Sequence, residues 1–181
     1  SYRVYQTADR PMAIGEDVLM KRGHNSRHGA DTDKFLAVLG VPVPASAHVA
    51  DLTGRTGGTK VNQYIRGLQP GGGRAAPKHL VAQALIGNFD LHAGNVMHEP
   101  SGQPWFVDNT PPVDRVTRKL GQMPADKLLE ALQLATGVTL SEQDIREQLR
   151  GIGQQFHVAL EHISDPQHAA ELLKRYRQLV K

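Results

Sequence analysis

Cysteine is absent from the 181 residues, which excludes disulfides, thiolate-bound zinc and thiol nucleophiles together. An intracellular or redox-indifferent protein is the simplest expectation from that absence. Aromatic residues are sparse at 5%, and no Lys/Arg run occurs, so the stacking platform and the basic stripe of a nucleic-acid binder are both missing and nucleic acid is not an expected partner. Apolar runs stay below the ~18 residues that a membrane-spanning helix needs, and the opening stretch SYRVYQTADRPM has neither the charged nor the apolar region of a signal peptide. No membrane partner is expected. What remains is an ordinary globular composition, 39% hydrophobic and 22% charged, enough to bury one core. Residues 1–85 carry 11 Lys plus Arg against 6 Asp plus Glu, and residues 86–181 carry 10 against 12, so the net +3 is the sum of +5 in the front half and −2 in the rest. Modest positive charge suits a phosphate-bearing small ligand better than a polyanion.

Patterning divides the chain near residues 67–76, where RGLQPGGGRAAP is dense in Gly and Pro. Before it, Asp31–Leu39 reads as a short helix with Thr32 as N-cap and Gly40 just past its end. The stretches around SAHVADL and TKVNQYI flank a TGRTGG turn and read as a hairpin. After the divide, Lys78–Ile86 has helical spacing and stops at Gly87. Val96–Met97 and Trp105–Val107 flank a Pro/Gly/Ser turn as a second hairpin, with Trp105 expected in the core. The remainder is helical, with Ser141 and Asp144 forming a capping box.

Chemistry concentrates in one place. Asp90, His92 and Asn95 lie within six residues after a helix, and Asp108 ends an apolar strand thirteen residues beyond Asn95. An Asp and an Asn in a constrained loop, with a second carboxylate delivered by a hairpin, can hold Mg²⁺ through oxygen while one carboxylate accepts a proton. That is a phosphoryl-transfer layout. The same residue types also favour turns for purely conformational reasons, and His92 reads as a hydrogen-bond partner for the loop rather than a base. A zinc site built from His79, His92 and His98 is disfavoured, since no two of these three stand at H-x-x-x-H spacing.

The string Asn88-Phe-Asp90-Leu-His92-Ala-Gly-Asn95, followed by a hairpin and Val107-Asp108, resembles the catalytic segment of the protein-kinase-like superfamily, atypical branch. It is similar to the N-x-D-x-H-x-x-N loop of HipA-type kinases, and its D-L-H-x-G-N core also resembles that of aminoglycoside and choline phosphotransferases. The motif covers about 30 residues, in the range of a hypothesis-grade match. The resemblance implies an α+β, compact two-lobed kinase-like fold: residues 1–66 as a reduced N-lobe, 67–73 as hinge and linker, and 74–181 as a helical C-lobe. It implies ATP and Mg²⁺ as cofactors, Asp90 orienting the acceptor hydroxyl, Asn95 and Asp108 on the metal, and Lys21 on the nucleotide phosphates. The backbone of Gln63, Tyr64 and Ile65 would meet adenine.

Several positions depart from the family pattern. No Glu lies between residues 22 and 98, so the usual partner of the phosphate-binding lysine is absent or replaced by Asp31 or Asp33, and Arg22 or Lys60 are alternative phosphate contacts. With Lys21 in that role, loss of Lys60 or Arg22 is expected to matter much less. No G-x-G-x-x-G occurs, and Asn109-Thr110 stands where Phe-Gly is usual. The 73 residues after Asp108 leave little room for a small-molecule pocket, so the resemblance favours a protein substrate and a minimal Ser/Thr kinase of the bacterial effector or toxin kind. Its place would be the cytoplasm, or a target cell's cytosol. A small-molecule phosphotransferase and a non-catalytic nucleotide-binding module are the alternatives.

Overall fold

A computed structural model describes residues 26–51, 57–69, 76–88, 95–107, 109 and 123–181 in full, and 12–13, 18–22 and 70 as backbone. Among these the chain forms a mixed α/β structure of two small sheets and five helices.

The first sheet has four antiparallel strands in the order β1 (Met12–Ala13), β2 (Val18–Arg22), β4 (Thr59–Gln63), β3 (Ser46–Val49). The expected first hairpin is therefore present, with Ala47 opposite Val61 and Val49 opposite Thr59. Its turn returns through Gly58, whose φ of +99° suits a residue without Cβ; an added Cβ would also strike the Val49 carbonyl and the His48 ring. Helix α1 packs on β3 and β4. It spans Ser26–Val38, not Asp31–Leu39. Thr32 is accordingly no N-cap: it is buried in mid-helix, where its hydroxyl donates to the His28 carbonyl at 2.7 Å. The missed first turn, Ser26-Arg-His-Gly-Ala, has weak helix propensity, and burial of Gly29 and Ala30 overrides it.

The second sheet is small: β5 (Gln69–Pro70), β6 (Val96–His98) and β7 (Pro104–Phe106), all antiparallel. β5 lies within the stretch read as a linker and pairs with β6. Trp105 is half-buried on the hairpin, donating from Nε1 to Glu99 at 2.8 Å, while Phe106 is the residue that enters the core. Strand alternation decides this, since neighbours on a strand face opposite sides.

Helix α2 (Pro77–Ile86) is buried from His79 to Ile86 on every side. It runs through the middle of the molecule and contacts α3 (Ala125–Thr136), α4 (Glu142–Leu160) and α5 (Pro166–Leu179). This is the environment its near-continuous apolar run requires. One continuous core joins Phe35 and Leu36 of α1, Leu80 and Leu85 of α2, Leu128 of α3, Ile152 and Phe156 of α4, and Leu172 of α5. Phe156 sits edge-on to Phe35 at 5.8 Å and stacks on Tyr176 at 4.4 Å, so α4 ties the α1 side to α5. The Ser141–Asp144 capping box forms as expected, each backbone N–H donating to the other side chain at 2.9 and 3.1 Å.

His79 shows how burial tunes this core. Its ring lies 4.1 Å from that of Phe106, and its Nδ1 accepts the Ala76 N–H at 3.2 Å. Desolvation, then the Lys78 and His98 charges, push its pKa from 6.5 down to about 4. The folded imidazole stays neutral while the unfolded one protonates below pH 6.5, so its contribution is full above 6.5 and is lost as pH falls toward 4. The loss amounts to about 3 kcal/mol by the lower end of that window. Denaturation midpoints measured from pH 7 to 4 should fall, and His79→Gln should flatten that slope; an unchanged slope would remove His79 as its source.

Candidate active site

The loop carrying Asn88-Phe-Asp90-Leu-His92-Ala-Gly-Asn95 leaves the C-terminal end of α2 and returns at β6. Asp90, His92 and Asp108 lie outside the described residues, as does the side chain of Lys21. Their flanks are well placed. Gly87 ends α2 with a left-handed φ of +74°, and the Asn88 N–H returns to the Gln83 carbonyl at 3.0 Å, so the chain enters the loop from a closed helix terminus. At the other side, the Asn95 carbonyl accepts the Val107 N–H at 3.0 Å. That bond sets Asn95, one proposed metal ligand, beside the residue preceding Asp108, the other. The Phe106 N–H donates to the Pro42 carbonyl at 2.9 Å, which joins the hairpin to the chain leaving α1.

Beneath this meeting point is a buried polar chain that sequence reasoning did not assemble. Lys60 of β4 and Asp33 of α1 form an ion pair at 2.6 Å, each only 2% exposed. The second Asp33 oxygen accepts from the Asn109 amide at 3.1 Å, and that amide also donates to the Phe106 carbonyl at 3.1 Å. Gln83 of α2 donates in turn to the Asn109 side-chain oxygen at 3.1 Å. The residue immediately after Asp108 is thereby held from α1, α2 and β7 at once. Gln83 was detectable as the one polar residue inside LVAQALI; Asn109 carried no comparable signal.

Of the two candidate acids on α1, Asp33 pairs with Lys60, whereas Asp31 accepts the Ser164 N–H at 3.0 Å. Lys21 occupies the register position opposite Lys60 on β2. Along the proposed adenine edge, the Gln63 N–H already donates to the Ala45 carbonyl at 2.7 Å, and Tyr64 just beyond β4 is 43% exposed. No group of three or more metal-ligating His, Asp or Glu side chains occurs among the described residues, and no helix among them is long and apolar enough to cross a membrane.

The described elements, a four-stranded antiparallel sheet carrying one helix, then a buried helix, a short hairpin and three further helices, have a fold similar to that of HipA of Shewanella oneidensis MR-1, solved in a toxin–antitoxin complex with HipB and operator DNA, at a TM-score of 0.52 and 14% identity over 93% of this chain. The chain spans 58% of the length of that HipA. No protein-family model matches the sequence, and no curated protein matches it.

Proposed function

We propose that this chain is the phosphotransfer unit of an atypical, HipA-like protein kinase that moves the γ-phosphate of ATP to a Ser or Thr hydroxyl of a protein. The observation that supports this reading is the Asn95–Val107 bond, which sets Asn95 beside the residue preceding Asp108 in a fold similar to that of HipA. In the proposed arrangement Asp90 orients the acceptor hydroxyl and accepts its proton. Asn95 and Asp108 hold Mg²⁺; an amide oxygen and one carboxylate are hard donors, and Mg²⁺ commonly takes few protein ligands beside phosphate oxygens. Lys21 contacts the α- and β-phosphates as a point charge, and the Gln63–Ile65 backbone meets adenine. Bound Mg·ATP supplies the phosphoryl group, and positioning with charge neutralisation supplies the rate. Localisation in the cytoplasm, or delivery to another cell's cytosol, is part of the same proposal.

The test is transfer of label from γ-labelled Mg·ATP, offered in parallel to Ser/Thr peptides, a cell lysate and a panel of amino-alcohols. Label in peptides or lysate proteins supports the proposal. Label confined to amino-alcohols identifies a small-molecule phosphotransferase, and nucleotide binding without transfer identifies a non-catalytic module. ATP binding should require divalent metal, and Asp108→Ala should weaken it at least about tenfold, the equivalent of 1.4 kcal/mol. Titration calorimetry with and without Mg²⁺ decides this; metal-independent, mutation-insensitive binding would remove Asp108 from the site. Lys21→Ala should raise KM for ATP or lower kcat, with Arg22→Ala close to wild type.

A further inference from the structure

Arg175, on the last helix, is only 2% exposed, and its guanidinium is spent on backbone carbonyls. Nε donates to Ala84 at 3.0 Å and Leu85 at 3.1 Å, Nη2 donates to Ala84 at 2.7 Å, and Nη1 donates to Met123 at 3.0 Å. Ala84 and Leu85 belong to the last turn of α2, at the negative end of the helix dipole, and the Ala84 carbonyl also accepts the Gly87 N–H at 3.3 Å. Gly87 packs against this guanidinium: a Cβ there would come within 3.3 Å of Arg175 Cζ, at a φ of +74° that already disfavours side chains. Met123 lies just before α3, and two residues on the Ala125 N–H donates to Gln178 Oε1 at 2.9 Å, so α5 holds the start of α3 twice.

A buried cation is a poor device for stability alone. Among the described residues the carboxylate it pairs with, Glu171, is 4.0 Å away and 44% exposed, and buried charges are often replaced by apolar residues without loss of stability. What an apolar residue could not do is grip two separate stretches of backbone in a fixed geometry, the property for which the planar five-donor fork is suited.

We propose that Arg175 is a positioning residue for the phosphotransfer site, holding the chain where it enters the Asp90 loop and at the start of α3. This rests on the function proposed above. Misplacement of a reacting group by about 1 Å can cost 10²-fold in rate, so loss of the grip should appear in kcat while ATP affinity changes little.

The experiment compares Arg175→Met and Arg175→Lys with Leu172→Ala, a core truncation on the same helix whose side chain is 1% exposed. Label transfer from γ-labelled Mg·ATP to Ser/Thr peptides and hydrogen exchange of amides 88–95 are both measured. Arg175→Met should lower kcat roughly 10²-fold with KM for ATP within about threefold. It should also speed exchange across 88–95, and Arg175→Lys should recover only part of either effect. Leu172→Ala should lower the melting temperature while leaving kcat per folded molecule and loop exchange near wild type. If Arg175→Met does not fold, Gly87→Ala takes its place, pushing a Cβ onto the guanidinium with Arg175 intact. Wild-type kcat and loop exchange in the variant, or equal effects in Leu172→Ala, would overturn the proposal. Absence of transfer by the wild-type chain would instead count against the function, and the exchange data would still decide whether Arg175 holds the loop.

Discussion

Asp90→Ala is expected to reduce phosphate transfer by roughly 10² to 10⁴-fold while leaving Mg·ATP binding nearly intact. A group that only orients the acceptor hydroxyl makes its contribution in the transition state, so its removal should appear in kcat and not in nucleotide affinity. The fold should tolerate the change. Both sides of the loop are anchored by backbone bonds that do not involve residue 90, from Asn88 to Gln83 and from Val107 to Asn95. Transfer rate and the thermal shift given by Mg·ATP should be measured on one preparation. Full activity in the variant would remove Asp90 from the mechanism, and an equal loss of ATP binding would make it a metal ligand or a loop-structuring residue instead.

Lys60→Ala is the second large effect, and it acts through stability. Removing one partner of a buried ion pair leaves the other charge uncompensated, which costs about 3–5 kcal/mol. Asp33 would then keep only the Asn109 amide among the bonds described for it. Replacing both partners together, Lys60→Met with Asp33→Leu, should recover most of the loss, because paired apolar side chains of similar volume avoid the desolvation of two ions. Urea denaturation of the wild type, both single variants and the double variant measures the coupling. Single-variant losses below about 1 kcal/mol, the range of an exposed pair, would mean that water reaches these side chains.

The different fates of these residues follow from the reach of the signals that reveal them. Helix α2 with its stop at Gly87, the two hairpins and the Ser141–Asp144 capping box were legible because each depends on neighbours a few positions away: apolar period, turn residues, a cap three residues from its partner. The motif from Asn88 to Asn95 was legible for the same reason. Signals of this kind fail where burial outweighs propensity. Ser26–Ala30 is a weak helix former that becomes helix because it is covered, and Trp105 yields the core to Phe106 through strand alternation.

Sequence by itself determined the chemical vocabulary of this protein: a cysteine-free chain with one Asp/His/Asn loop, a following Asp, and a helical second half. Tertiary structure alone decided the pairings. That Lys60 meets Asp33, that Asn109 joins Asp33 to Gln83, and that Arg175 reaches back to Ala84 and Met123 are facts about groups 26 to 91 residues apart. Buried polar groups must find partners, but nothing local states which ones. Packing of α1, α2 and α5 around a common core makes that choice.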